Sequence, residues 1–201
     1  MVKGTVAEAL HRADDFFMGR GPVFEAATRI AKALKQMEIP FAIAGALAVN
    51  LHGHERMTSD VDLLLRREDL ARFKERWLGL GWLEKFAGSR GMRDALLNVA
   101  IDILVTGDYP GDGLPKPVSF PDPATAMELD ADGMPVLKLG NLIELKLASG
   151  MTAPDRPRDF DDVIQLIRKN DLPDSYGDAF NPYVHESWHR LWTASRHRDE
   201  Y

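Results

Sequence analysis

The sequence predicts an α+β chain. Three apolar runs of strand length, residues 41–44 (FAIA), 61–65 (VDLLL) and 98–105 (NVAIDILV), alternate with longer stretches whose apolar residues recur at helical spacing. The second and third runs carry acids where a strand would otherwise be wholly apolar: Asp60 and Asp62 at the second, Asp102 in the third.

In chain order, Val6, Leu10, Ala13 and Phe17 predict a short helix over 5–18, closed by Gly19 and Gly21. Pro22 suits a first helical turn, and Phe24, Ala27, Ile30, Ala31 and Leu34 form an apolar stripe that ends before Pro40, so a helix over 22–38 follows. The strand at 41–44 runs into Gly45, from which a short helix reaches Leu51. After the strand at 61–65, Leu70, Phe73 and Trp77 mark the inner face of a helix over 68–78, and 82–86 reads as a strand ended by a loop at 88–91. The Gly-, Pro- and Asp-rich stretch 106–117 is loop. Asp130-Ala131-Asp132-Gly133 predicts a turn into a strand within GMPVLKL, with helices over 142–149 and 160–169 and a last one over 181–196, started at Pro182. Residues 22–170 then form the main domain, preceded by the helix before residue 21 and followed by a helical tail over 171–201.

With 201 residues and 45% hydrophobic content the chain can bury a substantial core, and a net charge of −6 disfavours a surface that binds nucleic acid throughout. The absence of cysteine removes disulfides, thiolate zinc sites and a cysteine nucleophile, and fits a reducing cytoplasm. The N-terminus lacks the apolar core of a signal peptide, and no run approaches ~18 uninterrupted apolar residues, so no membrane partner is expected.

Asp60 and Asp62 share one strand face, because side chains alternate with period two. A charged carboxylate in so apolar a context is costly unless it is paired or binds a cation. If the strand of Asp102 lies beside theirs, the three acids converge and can hold two magnesium ions about 3.5–4 Å apart. Backbone amides at the Gly45 turn would offer donors to phosphate oxygens, and Arg56 and Thr58 on the following loop add a charge and a hydroxyl.

The pattern Gly45-Ala46, thirteen residues, then Asp60-Val61-Asp62-Leu63, with Asp102 on a later strand, resembles the DNA polymerase beta-like nucleotidyltransferase superfamily. The stretch AGALAVNLHGHERMTSDVDLLL is similar to its small bacterial members, related to AbiEii-type abortive-infection toxins and to antibiotic nucleotidyltransferases. The likeness continues through LGNLIELKLASG and RPRDFDDVIQL and covers about residues 22–170. It implies a mixed sheet flanked by helices, and transfer of a nucleoside monophosphate from an NTP to a hydroxyl of an RNA, protein or small-molecule acceptor. It further implies Asp60 and Asp62 as magnesium ligands, and Asp102 as ligand of the catalytic ion and helper in acceptor deprotonation. Gly45 and Ala46 would hold the triphosphate, with Lys146 as a phosphate or substrate contact. A toxin-type role would add a cognate antitoxin, or a second copy of the chain, as partner. The family turn is usually Gly-Gly or Gly-Ser; Ala46 forfeits a serine hydroxyl but keeps the backbone donors.

Plainer uses exist for each residue. Asp60 and Asp62 can be solvated at a strand edge, Asp102 can pair with Arg93, Lys146 can extend to water, and Asp159, Asp161 and Asp162 suit a helix N-terminus. A non-catalytic nucleotide- or partner-binding module of the same fold is the alternative function. His185-Glu186-Ser187-Trp188-His189 has the HExxH zinc-protease spacing but no third ligand, so a solvated helix face is expected there. The loop 106–117 and the basic tail with His185, His189, Arg190, Arg196 and Arg198 are where acceptor contacts are expected. No glycine-lysine phosphate loop or dinucleotide fingerprint occurs.

Overall fold

The computed structural model describes residues 21–197; the helix expected over 5–18 lies outside them. The first element is α1, Pro22–Gln36, which carries Pro22 in its first turn and buries Ala26, Ile30 and Leu34 against the sheet. It stops at Met37, ahead of Glu38, whose φ of 54° lies in the left-handed region. The buried strand β1, Ala42–Ile43, then leads directly into α2, Gly45–Leu51.

The strand β2, Asp60–Leu65, is followed by α3, Arg67–Trp77, which has Glu68 and Asp69 in its first turn and Lys74 and Arg76 in its last, as the helix dipole favours. Next come β3, Trp82–Glu84, β4, Met92–Asp94, and β5, Ala100–Val105. A single turn, α4, Pro123–Ala126, capped by Asp122, precedes the hairpin of β6, Met127–Leu129, and β7, Pro135–Leu137. Its turn is the expected one, with the Asp130 carboxylate accepting from the Asp132 and Met134 amides.

The seven strands among the described residues form one mixed sheet in the order β3-β4-β5-β2-β1-β7-β6. The pairs β2–β5 and β1–β7 are parallel and the others antiparallel. Two helices packed on each other follow: α5, Leu139–Thr152, and α6, Pro157–Lys169. The tail makes two 3₁₀ turns, Asp174–Ala179 and Pro182–Val184, before α7, His185–Arg196, so the helix expected from residue 181 starts four residues later.

Three elements went unread in the sequence: β4, β6 and α4 are three or four residues long, too short for hydrophobic periodicity to register. β4 also hides a charge, since Asp94 is buried and accepts from Arg29 Nε at 2.8 Å. The tail docks through Trp188, which packs against Gly177 and donates its indole N–H to the Asp174 carbonyl at 2.7 Å. Phe180, Val184, Trp188 and Leu191 belong to the same apolar core as the sheet. No described helix is long and apolar enough to cross a membrane.

Candidate active site

The sheet aligns the acids. In the parallel β2–β5 pair Asp60 faces Ala100 and Asp62 faces Asp102, which puts the last two on neighbouring strands about 4.8 Å apart. Val61, Leu63, Ile101, Ile103 and Val105, on the opposite face, are buried in the core. The carboxylates are therefore not sunk in the core, as the apolar sequence context suggested. They line a cleft of about 1120 Å³ whose walls include Gly45, Ala46, Arg56, Thr58, Lys85, Lys146 and Arg156, and the Asp102 side chain is 40% exposed.

Asp62 sits deepest. Desolvation first, and then the neighbouring charges of Asp60 and Asp102, push its carboxyl up to about 6, against a smaller opposing pull from Lys146 and Arg156. The other two acids have partners: Thr58 Oγ1 donates to Asp60 Oδ1 at 2.5 Å, and Lys85 Nζ donates to Asp102 Oδ1 at 2.5 Å. Arg93, the partner the sequence offered for Asp102, turns instead to the carbonyl and side-chain oxygens of Asn98.

Among the described residues no three acidic or histidine side chains are drawn together tightly enough to form a ready metal group. The donor set nevertheless suits a hard divalent cation: carboxylate oxygens on one sheet face, whose mutual repulsion adds to the burial that raises the Asp62 pKa.

Gly45 is placed against this centre. Its φ is +55°, and a Cβ built there would lie 1.7 Å from Asp62 Oδ2 and 2.8 Å from Asp62 Cβ. The neighbouring Ala44 amide donates to the Asp62 carbonyl at 2.9 Å, so the turn and the acid are one structural unit. Only glycine provides both the left-handed conformation and the room. Ala46, buried beneath the turn, also lines the cleft.

The loop after α2 is held from both sides. Asn50 bonds the Arg56 backbone reciprocally, receiving its N–H at 2.8 Å and donating to its carbonyl at 2.9 Å. The Arg56 guanidinium reaches across to α6, where Nε and Nη2 bond the two oxygens of Asp162 at 2.7 and 2.9 Å. Lys146, on α5, joins the same group at 2.6 Å from Asp162 Oδ2 and 2.9 Å from Asp159 Oδ1. Lys146 thus does not extend to water, and Asp159 and Asp162 do more than favour a helix N-terminus.

Asp162 is only 1% exposed, and removing it strands cations where water cannot repay the loss. Lys146 keeps Asp159, so Asp162→Ala is expected to cost about 3 kcal/mol, readable as a shift of the urea midpoint.

Arg156, Arg158 and Ser149 on the cleft wall were not singled out in the sequence reading. Arg156 and Arg158, flanking Pro157 at the start of α6, line the cleft with no ion-pair partner among the described residues. The hydroxyl of Ser149 and Oδ2 of Asp159 are buried there without a hydrogen-bond partner among the described residues. Lys85 belongs with them as a missed residue. No spacing signal points to it, because its contact with Asp102 depends on the path of the β3–β4 hairpin.

The histidine pair of the tail lies on a face open to solvent, as expected, with His189 half-exposed, and it also makes contacts within the tail. His185 Nε2 bonds the Phe180 carbonyl at 2.9 Å and His189 Nδ1 bonds Asp174 at 2.7 Å, tying α7 to the two ends of the first 3₁₀ turn, Asp174–Ala179.

No family model matches the chain, and no curated protein matches it in sequence. Solved structures do. The antibiotic-resistance factor ANT(2'')-Ia in solution aligns over 83% of this chain and 91% of its own, at 14% identity and a TM-score of 0.52. What the two share is the fold.

A crystal structure of the same factor with adenylyl-2''-tobramycin aligns at 14% identity over 86% of this chain and 97% of its own, with a TM-score of 0.49. A Thermotoga maritima protein described as a candidate nucleotidyltransferase aligns at 15% identity over 70% and 91%, also at 0.49.

Proposed function

We propose that the chain is a magnesium-dependent nucleotidyltransferase that moves a nucleoside monophosphate from an NTP to an acceptor hydroxyl. The observation that carries this reading is the meeting of Asp62, Asp102 and Gly45: register sets the acids side by side, and the left-handed glycine lies in contact with Asp62.

Asp60, Asp62 and Asp102 are the residues that would hold magnesium, which supplies charge neutralisation at the α-phosphate and at the departing pyrophosphate. Asp102, whose side chain is 40% exposed, would take the acceptor proton as the acceptor oxygen bonds the α-phosphorus and the bond to the β-phosphate oxygen breaks. The amides of Gly45 and Ala46 would meet the polyphosphate on one side, and the guanidiniums of Arg156 and Arg158 on the other. Thr58 orients Asp60. Arg56 and Lys146 fix the start of α6 through Asp162, which positions the two arginines.

The cleft has room for a nucleotide and a second molecule together. The test is label transfer: purified protein, magnesium and each α-labelled NTP in turn, with a cell extract holding RNA, protein and small molecules, and Asp60→Ala in parallel. Label in one fraction, absent with the variant, supports the reading and identifies the acceptor class. Magnesium-dependent nucleotide binding with no transfer from any NTP would instead indicate a regulatory module of the same fold.

A further inference from the structure

The pairing of Lys85 with Asp102 is built from several sides. The hairpin between β3 and β4 is clamped by Lys74 of α3, whose ammonium bonds Glu84 Oε1 at 2.7 Å and also the Ser89 carbonyl. Glu84 Oε2 accepts the Gly88 amide at 2.8 Å, and the Lys85 amide donates to the Gly91 carbonyl at 3.2 Å. Lys85 therefore leaves a loop tied at both ends.

Its stem then passes over Gly91. A Cβ at that residue would come within 3.1 Å of Lys85 Cδ and 3.2 Å of Asp102 Oδ1, so the glycine opens the lane through which the ammonium reaches the carboxylate. The other hairpin cation, Arg90, goes elsewhere and pairs with Asp108. One cation of this loop is thus committed to Asp102 and the other is not.

We propose that Lys85 is the built-in counter-ion of Asp102, a positioning residue that holds this carboxylate in the cleft and must release it when a divalent cation binds. The inference rests on the reading that the three acids take such a cation. An ammonium hydrogen-bonded to Oδ1 and a metal ion compete for the same negative charge. The pair lies at the cleft mouth, with side-chain exposures of 27% for Lys85 and 40% for Asp102, so the exchange needs no rearrangement of the core. Lys85 thereby sets how readily the site loads, and it compensates the Asp102 charge while the site is empty.

The test is titration of the full-length protein with manganese(II) alone, followed by the electron paramagnetic resonance signal of the free ion, with melting curves to verify folding. Lys85→Met, and independently Lys85→Gln, are expected to bind manganese about three- to five-fold more tightly than the unaltered chain, the range open to a partly exposed ion pair. Lys85→Arg keeps the pair and should bind as the unaltered chain does. Arg90→Met removes an equal charge from the same loop and should leave the affinity unchanged.

Equal or weaker binding by Lys85→Met and Lys85→Gln, or equal tightening by Arg90→Met, overturns the role of Lys85 while leaving the cation site standing. Absence of manganese binding in every form overturns the inference together with the cation reading on which it rests.

Discussion

Asp62→Asn is expected to eliminate nucleotidyl transfer and at the same time to raise the melting temperature of the metal-free protein at neutral pH. The first effect follows from its place: Asp62 is the acid flanked by both others and by the Gly45 turn. Loss of a ligand that contributes several kcal/mol of transition-state stabilisation corresponds to a rate reduction of about 10³-fold or more.

The second effect follows from its carboxyl, pushed up to about 6 from an ordinary 3.8 by burial and by the charges of Asp60 and Asp102. A carboxyl whose folded-state pKa lies above its unfolded value binds more protons when folded. The native state is therefore favoured in acid, and that contribution is lost as pH rises from about 4 through about 6. Melting curves in a chelator from pH 5 to pH 8 should show this decline in the unaltered chain and a flatter course in Asp62→Asn. Magnesium should recover stability in the unaltered chain at the upper end of the range, since a bound cation stabilises the folded state by mass action. A variant less stable than the unaltered chain at pH 8 would contradict this account of Asp62.

Gly45→Ala carries the second large effect. A left-handed conformation costs a side chain about 1–2 kcal/mol, and forcing a methyl against Asp62 adds about 1–3 kcal/mol of overpacking. Together these lower the melting temperature by roughly 5–15 °C for a chain of this size. Asp62 is also displaced, because the colliding atoms are its own Oδ2, Cγ and Cβ. Transfer should therefore fall even under conditions where the variant remains folded. A folded Gly45→Ala protein with ordinary activity would show that the contact between turn and acid does not matter to the chemistry.

Much of this centre was legible in the sequence. Period two placed Asp60 and Asp62 on one face, and the apolar run around Asp102 indicated a strand suited to lie beside theirs. The structure supplies that adjacency through the β2–β5 register. The long helices and the Asp130 turn were equally visible, since stripes and turn residues are local signals.

What sequence pattern could not reach was long-range. Lys146 and Arg56 looked like free cations, yet Asp162 engages both, and Asp162 lies 106 residues beyond Arg56. The Lys85 contact depends on the curl of a hairpin whose second strand is only three residues long. Asp102 proved more open than its neighbours suggested, because alternation gave it the cleft face while Ile101 and Ile103 took the core.

The proposed chemistry of this cleft is cleavage of the bond between the α- and β-phosphates of an NTP. The direct measurement is a paired incubation of the purified protein with magnesium and acceptor, once with α-labelled and once with γ-labelled NTP, with Asp62→Asn in parallel. The expected result is α-label on the acceptor, γ-label released as pyrophosphate, and neither with the variant. Transfer of γ-label to the acceptor, or α-label transfer that persists in Asp62→Asn, would contradict it.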